Sequence, residues 1–317
     1  KVVGGSSSIN AMAYVRGHRG DYERWAQIGL SDWSYDKVLP YFRKLENWCG
    51  APSDYRSKGG PLNVQESTFK DPLIEAYLQA GIDAGYGFTP DYNGAEQEGF
   101  CRWQMTIRNG RRWSAADAYL RPALHRKNLT LITGAHVTKI VMNGDTATGV
   151  TWRKDDLAGS AEAGEVILSG GAINSPQLLM LSGIGPADDL RKHGIPVVLD
   201  RPGVGKNLQD HISAAVHYTR TQPGPLHETM RIDRIVVDLA KTYLAGSGVS
   251  NDLPSGVMAY LKSSADEKLP DLQLLFNAAP MTASPYLSPF VKPWHASRRT
   301  SSPPAKTERC CIRACGW

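Results

Sequence analysis

Two adjacent glycines followed by three serines, Gly4-Gly5-Ser6-Ser7-Ser8, constrain this chain more than any other stretch. They sit in an opening run, Lys1 to Trp25, that reads KVVGGSSSINAMAYVRGHRGDYERW. Glycine adopts backbone torsions closed to other residues and carries no Cβ to hold a ligand away. The serines add hydroxyls and backbone N–H groups at the start of a predicted helical turn, where an anion is favoured. A flexible Gly/Ser linker has a similar composition, but a linker does not run straight into Ile9, Met12, Tyr14 and Val15. The stretch is therefore expected to press its backbone against a phosphate-bearing ligand.

A second segment carries a related message. Glu165 to Ser169 is a short apolar run followed by Gly170-Gly171, and Asn174-Ser175-Pro176 precedes the apolar stretch Gln177 to Ser182. Ser175 suits an N-cap, Pro176 a first helical position and Gly183 a C-terminal stop, so strand, glycine turn and helix are expected at a ligand-facing sheet edge. On these residues a resemblance emerges. The opening run resembles the first signature of the glucose–methanol–choline (GMC) family of flavin oxidoreductases, in which a Gly-Gly-[Ser/Thr]-[Ser/Thr] turn touches FAD and the following Asn-x-x-Ala reaches the flavin ring. The stretch GGAINSPQLLMLSGIGP, residues 170–186, resembles the second signature along its whole length.

That resemblance implies a fold, a cofactor and a reaction. The fold is α/β with mixed α+β character: a Rossmann-like FAD-binding domain over 1–205 lacking its first βαβ unit, then the start of a substrate domain on an antiparallel sheet over 206–293. The cofactor is FAD. By carry-over, Gly4, Gly5 and Ser6 face its pyrophosphate, Asn10, Ala11, Met12 and Ala13 line the flavin ring, and Val137 passes the adenine end; judged as a residue alone, Val137 is a strand core position. Some family members attach FAD through a histidine just before the asparagine; here that position is Ile9, which implies noncovalent binding. The implied reaction oxidises a primary alcohol, choline-like, aliphatic or aryl, to the aldehyde. A histidine takes the hydroxyl proton and hydride passes to flavin N5. The electron acceptor, oxygen or a quinone, is left open. The family's dinucleotide fingerprint precedes the first signature and its catalytic histidine lies near the C-terminus; nothing in the chain matches either, so it is expected to be an internal fragment and no catalytic residue is assigned. A truncated inactive chain and a flavin-containing hydroxynitrile lyase of the same family stand as alternatives.

Other motifs fail on inspection. Gly183-Ile-Gly185 has Asp188 in place of a third fingerprint glycine and follows a helix, while Gly203-Val-Gly205-Lys206-Asn207 has Asp200 at the first P-loop glycine and no hydroxyl after the lysine. His211, in Asn207-Leu-Gln-Asp-His211, resembles a recurrent family segment and is expected to be a structural histidine inside the fold.

Local signals outline the remaining elements. A helix is expected from Trp33-Ser34 to about Trp48, a loop over 50–65, and a second helix capped by Asp71 with Pro72 at its start, burying Ile74, Tyr77, Leu78 and Ile82 and stopping at Gly85. Residues 86–110 are turn-rich and ambiguous. Ser114 and Asp117 form a capping box, and strands are expected over 129–133, 136–142 and 146–153, the last two joined at Asn143-Gly144. Ile232, Ile235, Val236, Leu239 and Tyr243 recur at helical spacing, 246–256 is a loop, and 271–276 is strand-like.

The net charge of +5 comes mostly from residues 294–317, WHASRRTSSPPAKTERCCIRACGW, outside which the two signs nearly cancel. That distribution leaves no nucleic-acid footprint. The same tail holds Cys310, Cys311 and Cys315, whose spacing fits no zinc template. Its composition predicts a disordered or frameshifted segment. No apolar run approaches the roughly 18 residues that span a bilayer, so no transmembrane segment is expected. The expected partners are a small-molecule alcohol and an electron acceptor.

Overall fold

The computed structural model describes residues 2–220, 224–225, 232–248, 252, 256–278 and 308–316, with the backbone alone for 219–220, 232–233 and 308–316. Chain contacts divide it into two compact units, one made of Lys1–Arg126 with His211–Trp317 and one of Lys127–Asp210. From sequence, boundaries at 205/206 and 293/294 are expected.

In the first unit, Gly4 and Gly5 take φ of +91° and +60° and turn the chain into a single 3-10 turn, Gly5–Ser8. Helix α1, Arg19–Gln27, starts on a capping box in which His18 Nδ1 accepts from the Gly20 amide at 3.0 Å and Asp21 accepts from the His18 amide at 2.9 Å. Helix α2, Tyr35–Leu45, ends three residues before the expected point, because Glu46–Trp48 is extended as β1 and pairs in parallel with β2, Leu62–Glu66. The switch follows from Glu46, whose buried carboxylate is claimed by Arg16 and Arg56. It also shortens the expected 50–65 loop. Helix α3, Pro72–Asp83, begins as expected, with the Asp71 carboxylate accepting from the Leu73 amide at 2.9 Å. Its buried stripe is Ile74, Leu78 and Gly81, whereas Ile82 is exposed; the Phe100 ring occupies the place of a side chain at Gly81.

The stretch that sequence leaves ambiguous contains β3, Gly99–Arg102, β4, Gln104–Met105, and β5, Ile107–Arg108, the last paired with β6, Arg111–Arg112, across a two-residue turn. Asn109 and Gly110 both have positive φ in that turn, the pattern of a type I′ hairpin. The Ser114–Asp117 capping box forms, with Ser114 Oγ donating to Asp117 at 2.6 Å and accepting from its amide at 3.2 Å. It opens a π-helical turn, Ala116–Leu120, that runs into α4, Arg121–Ala123.

The second unit holds an antiparallel meander of β7, His136–Asn143, β8, Thr146–Lys154, and β9, Leu157–Glu162. The first hairpin falls where Asn143-Gly144 predicts it, with Gly144 and Asp145 as loop residues because Asn143 pairs with Thr146. The second, over Asp155-Asp156, places Asp155 at φ +53° and carries no glycine signal. Helix α5 spans Gly171–Leu181 and starts six residues before the expected Gln177. Ser175 is therefore not its cap; its hydroxyl accepts from the Gly170 amide at 2.9 Å, bracing the glycine turn, and Pro176 lies inside the helix. Gly183, at φ +86°, ends it as expected. Short parallel strands β10, Ile184–Gly185, and β11, Leu199–Asp200, flank α6, Ala187–Lys192. The strands expected over 129–133 and 165–169 do not form. Both segments lack a ladder partner among the described residues, and Leu131, Ile132 and Ile167 are exposed; an apolar run becomes a strand only when a neighbour takes its backbone groups.

The chain returns to the first unit with β12, Ile212–Arg220, α7, Ile232–Ala245, β13, Val257–Leu261, β14, Leu272–Asn277, and β15, Glu308–Gly316. These strands join β3 in one antiparallel sheet ordered β12-β15-β14-β13-β3. The expected disorder of the tail is thus not met over 308–316, where backbone hydrogen bonds to both β12 and β14 hold the segment extended; residues 294–307 of that expectation lie outside those described. Strand β13 is buried on both faces: Val257, Ala259 and Leu261 pack with Ile74, Leu78 and Phe100, and Met258 and Tyr260 with Tyr92, Trp103, Met105 and Ile107. Its VMAYL sequence has no polar alternation to betray it, as a strand covered on two sides requires. His211, expected inside the fold, is exposed.

Candidate functional site

Residues 4–14 form an exposed ledge built by identifiable restraints. Gly4 must be glycine twice over: its φ is left-handed, and a Cβ would press on Ser8 Oγ and approach Ala116 Cβ to 3.1 Å. Gly5 has the same sign of φ, yet nothing lies within 4 Å of its absent side chain. Gly4 therefore seats the turn on the Ala116 segment while Gly5 leaves an open approach to the backbone.

The three serines divide in role. Ser7 Oγ donates to the Gly4 carbonyl at 2.5 Å and accepts from the Ala115 amide at 2.9 Å, and Ser8 Oγ donates to the Val3 carbonyl at 2.7 Å. Both hydroxyls hold the turn together. Ser6 alone is exposed with its hydroxyl unclaimed among the described residues, so the expected supply of three hydroxyls reduces to one.

Beyond the turn, Asn10 Oδ1 accepts from the Met12 amide at 3.0 Å and from Arg112 Nη1 at 2.7 Å, which leaves its amide nitrogen outward as a donor. Met12 carries φ +63°, strained for a residue with a side chain. That strain turns its side chain onto the cluster around Trp103 and Met105, while its carbonyl accepts from the Thr106 amide at 2.9 Å. The Met12 amide and carbonyl are thus both engaged within the chain, and the residue fixes the bend of the ledge. Ala11 and Ala13 are exposed and small, and Ala13 bridges to Met105. Val137, the remaining expected contact, lies on β7 of the second unit with its side chain exposed rather than in a core.

The ledge is anchored from behind by buried polar groups. Asn93 donates to the Tyr14 carbonyl at 3.0 Å and to Gln104 Oε1 at 2.8 Å, and accepts from the Arg16 amide at 2.8 Å. Tyr92 OH donates to the same Tyr14 carbonyl at 3.1 Å and accepts from the Gln104 amide at 2.8 Å. Burial pushes the Tyr92 phenol well above its usual range and raises that of Tyr14, so both stay protonated. Glu46 sits 2.8 Å from Arg16 and 3.1 Å from Arg56, and Arg56 reaches Asp91 at 2.6 Å. Arg112 is the functional residue that sequence reasoning missed. It also donates to the Ser7 carbonyl at 3.2 Å and so clamps both halves of the ledge; the one hint was a pair of arginines just ahead of the capping box.

The open side of Gly5, the free Ser6 hydroxyl and the outward Asn10 amide suit phosphate oxygens and a polar ring edge. The mixed α/β scaffold that carries them is shared with flavin-binding oxidoreductases. The family model described as GMC oxidoreductase matches residues 1–213, and the chain belongs to that family, whose cofactor is FAD and whose members act on CH–OH groups.

Among curated relatives, oxygen-dependent choline dehydrogenase of Brucella anthropi is 46% identical over 279 residues, which is 87% of this chain and 50% of that protein. The protein of the same name from Rhizobium meliloti is 46% identical over 279 residues, with the same two shares. The chain thus spans about half the length of the curated relatives it matches. Among solved structures, pyridoxine 4-oxidase from Mesorbium loti aligns with a TM-score of 0.77 at 28% identity, covering 98% of this chain and 55% of that one. A fungal aryl-alcohol oxidase aligns at 0.71 and 27% identity, covering 82% and 48%.

Proposed function

We propose that this chain supplies the pyrophosphate and ring-facing surface of an FAD-dependent enzyme that oxidises a primary alcohol, choline-like, aliphatic or aryl, to its aldehyde. The observation that carries the reading is the ledge itself: two consecutive left-handed glycines, one packed and one open, beside an unclaimed hydroxyl. In this reading Gly4, Gly5 and Ser6 bind the pyrophosphate, Asn10, Ala11, Met12 and Ala13 line the flavin ring, and Val137 meets the adenine end. Asn10 donates through its amide nitrogen, Met12 holds the bend of the ledge, and the two alanines keep side-chain bulk away from the ring. Arg112 holds the turn and Asn10 in register. When bound, the flavin supplies a two-electron acceptor for the hydride leaving the alcohol carbon. Ile9 has no nucleophilic atom, so attachment is noncovalent. No residue of this chain is assigned the hydroxyl proton, and the acceptor that reoxidises the flavin is oxygen or a quinone. The names of the choline dehydrogenases and of the aryl-alcohol oxidase support the alcohol class.

The test is an absorbance titration of the purified chain with FAD over roughly 350–500 nm, where an oxidised flavin absorbs. Bound flavin bands that are released into the supernatant on acid precipitation, and that bleach anaerobically with an alcohol from a panel, are the expected result. A chain that takes up no FAD refutes the cofactor reading. Uptake without bleaching by any alcohol refutes turnover by this chain, and cleavage of a cyanohydrin without net redox change assigns it to the lyase branch.

A further inference from the structure

The first unit contains a second concave surface whose lining shares only Arg112 with the cofactor reading. It is an open basin of about 880 Å3 between the β5–β6 hairpin, the π-helical turn and the C-terminal end of α7. Arg108, Arg111, Arg112 and Arg121 line it, against one carboxylate, Asp117. That carboxylate is taken by Arg121 at 3.2 Å. Arg112 is bonded to neutral acceptors, the Ser7 carbonyl and Asn10 Oδ1. Arg111 lies over the Tyr243 ring, 4.3 Å from its centroid, and donates to the Tyr243 carbonyl, capping α7. Arg108 stacks on Trp113 at 4.7 Å and makes no hydrogen bond or ion pair among the described residues.

Stacking a guanidinium on a ring covers its face and leaves its N–H edge for a planar or tetrahedral anion, the geometry in which arginine binds phosphate and carboxylate bidentately. Three of the four lining guanidiniums therefore lack a carboxylate, and they share one concave wall. A positive concavity of this kind concentrates anions. The α7 carbonyl that Arg111 caps offsets part of the charge, which leaves Arg108 as the least committed donor.

We propose that this basin binds a multiply charged phosphate anion, with Arg108 as its principal donor, at a site distinct from the residue 4–13 ledge that Arg112 clamps. The separation rests on the cofactor reading above; the anion site itself does not. The pyrophosphate of FAD and a free phosphate compound share the required chemistry, and the experiment tells them apart.

Calorimetric titration of the full chain with inorganic pyrophosphate, at low and at raised ionic strength, is the measurement. Saturable binding that weakens with salt is expected, as is a loss of roughly tenfold in affinity, equivalent to about 1.4 kcal/mol, on Arg108→Gln. Arg108→Glu is expected to abolish binding, while Arg191→Gln, on the exposed α6 of the other unit, leaves it unchanged. The Arg108 side chain makes no hydrogen bond or ion pair among the described residues beyond its stack on Trp113, so these variants fold; matching circular dichroism and urea midpoints verify it. Pyrophosphate binding that persists after saturation with FAD supports a separate site. Competition by FAD, no pyrophosphate binding in the millimolar range, or equal affinity for the Arg108 variants would each overturn the proposal. If the chain takes up no FAD, the cofactor reading fails while the pyrophosphate titration still decides the basin.

Discussion

Replacing Glu46 by alanine is the perturbation that most directly probes how the ledge is supported. Glu46 is fully buried between two guanidiniums that are themselves 3% and 1% exposed. After its removal Arg56 keeps Asp91 and Gln104 at 2.6 and 2.8 Å. Arg16 keeps only neutral partners, the Tyr55 carbonyl at 2.7 Å and the faces of Tyr14 and Phe42. The cost therefore falls on Arg16, a buried cation without a counter-ion. Breaking a buried pair from one side costs about 3–5 kcal/mol, a large share of the roughly 5–15 kcal/mol that holds a domain folded. With a urea slope of about 3 kcal/mol/M the unfolding midpoint should fall by about 1–1.7 M at unchanged slope. Adding Arg16→Met to Glu46→Ala should recover most of the loss, since an apolar side chain removes the stranded charge. Tryptophan fluorescence through a urea series of wild type, both single variants and the double variant reads the full cycle. A midpoint shift for Glu46→Ala below about 0.5 M, or a double variant no more stable than the single one, refutes the reasoning.

The two glycines of the ledge should separate fold from function. Gly4→Ala should destabilise the chain by about 1–3 kcal/mol or more through strain and contact with Ser8, whereas Gly5→Ala should cost about 1–2 kcal/mol of folding stability yet weaken FAD uptake disproportionately; urea melts and flavin titration run together check both. Arg112→Ala should lower FAD affinity several-fold while moving the urea midpoint little, because the bonds it loses are exposed or half-buried. His18 supplies a pH effect: burial holds its imidazole below the ordinary value and its neutral Nδ1 caps α1. A depressed folded value means that the stabilisation is present above about pH 6.5 and is lost as pH falls toward the folded value. His18→Asn, which keeps an acceptor that does not titrate, should flatten that fall in stability between pH 7 and 5 in about half-unit steps.

What could be read from the chain followed the range of the interaction responsible. The Asp71–Pro72 helix start, the Ser114–Asp117 box and the turn after Asn143 are settled within a few residues, and each stands where its local signal puts it. The paired glycines were legible for the same reason. By contrast β13 is a strand because two clusters cover it, and its apolar run carries no period. The end of α2 is decided by Arg16 and Arg56 meeting Glu46, and the clamp on the ledge joins residues about a hundred positions apart. Segments 129–133 and 165–169 show the reverse failure: apolar, β-branched composition without a neighbour leaves an extended chain but no ladder.

The pairing of β3 with β13 has a consequence for the order in which the chain matures. Phe100 and Cys101 find their strand partners at Ala259 and Met258, so the sheet behind the ledge closes only after some 150 intervening residues have been made. Closing so long a loop is entropically slow. The meander of β7, β8 and β9 needs only neighbours in sequence. On a ribosome the later-encoded second unit can thus consolidate while the ledge still lacks its backing, and the Gly4–Ala13 stretch, made before both, is among the last of the three to acquire its shape. A ledge that is made before its backing and sets late depends for that interval on the solubility of its own glycines and serines.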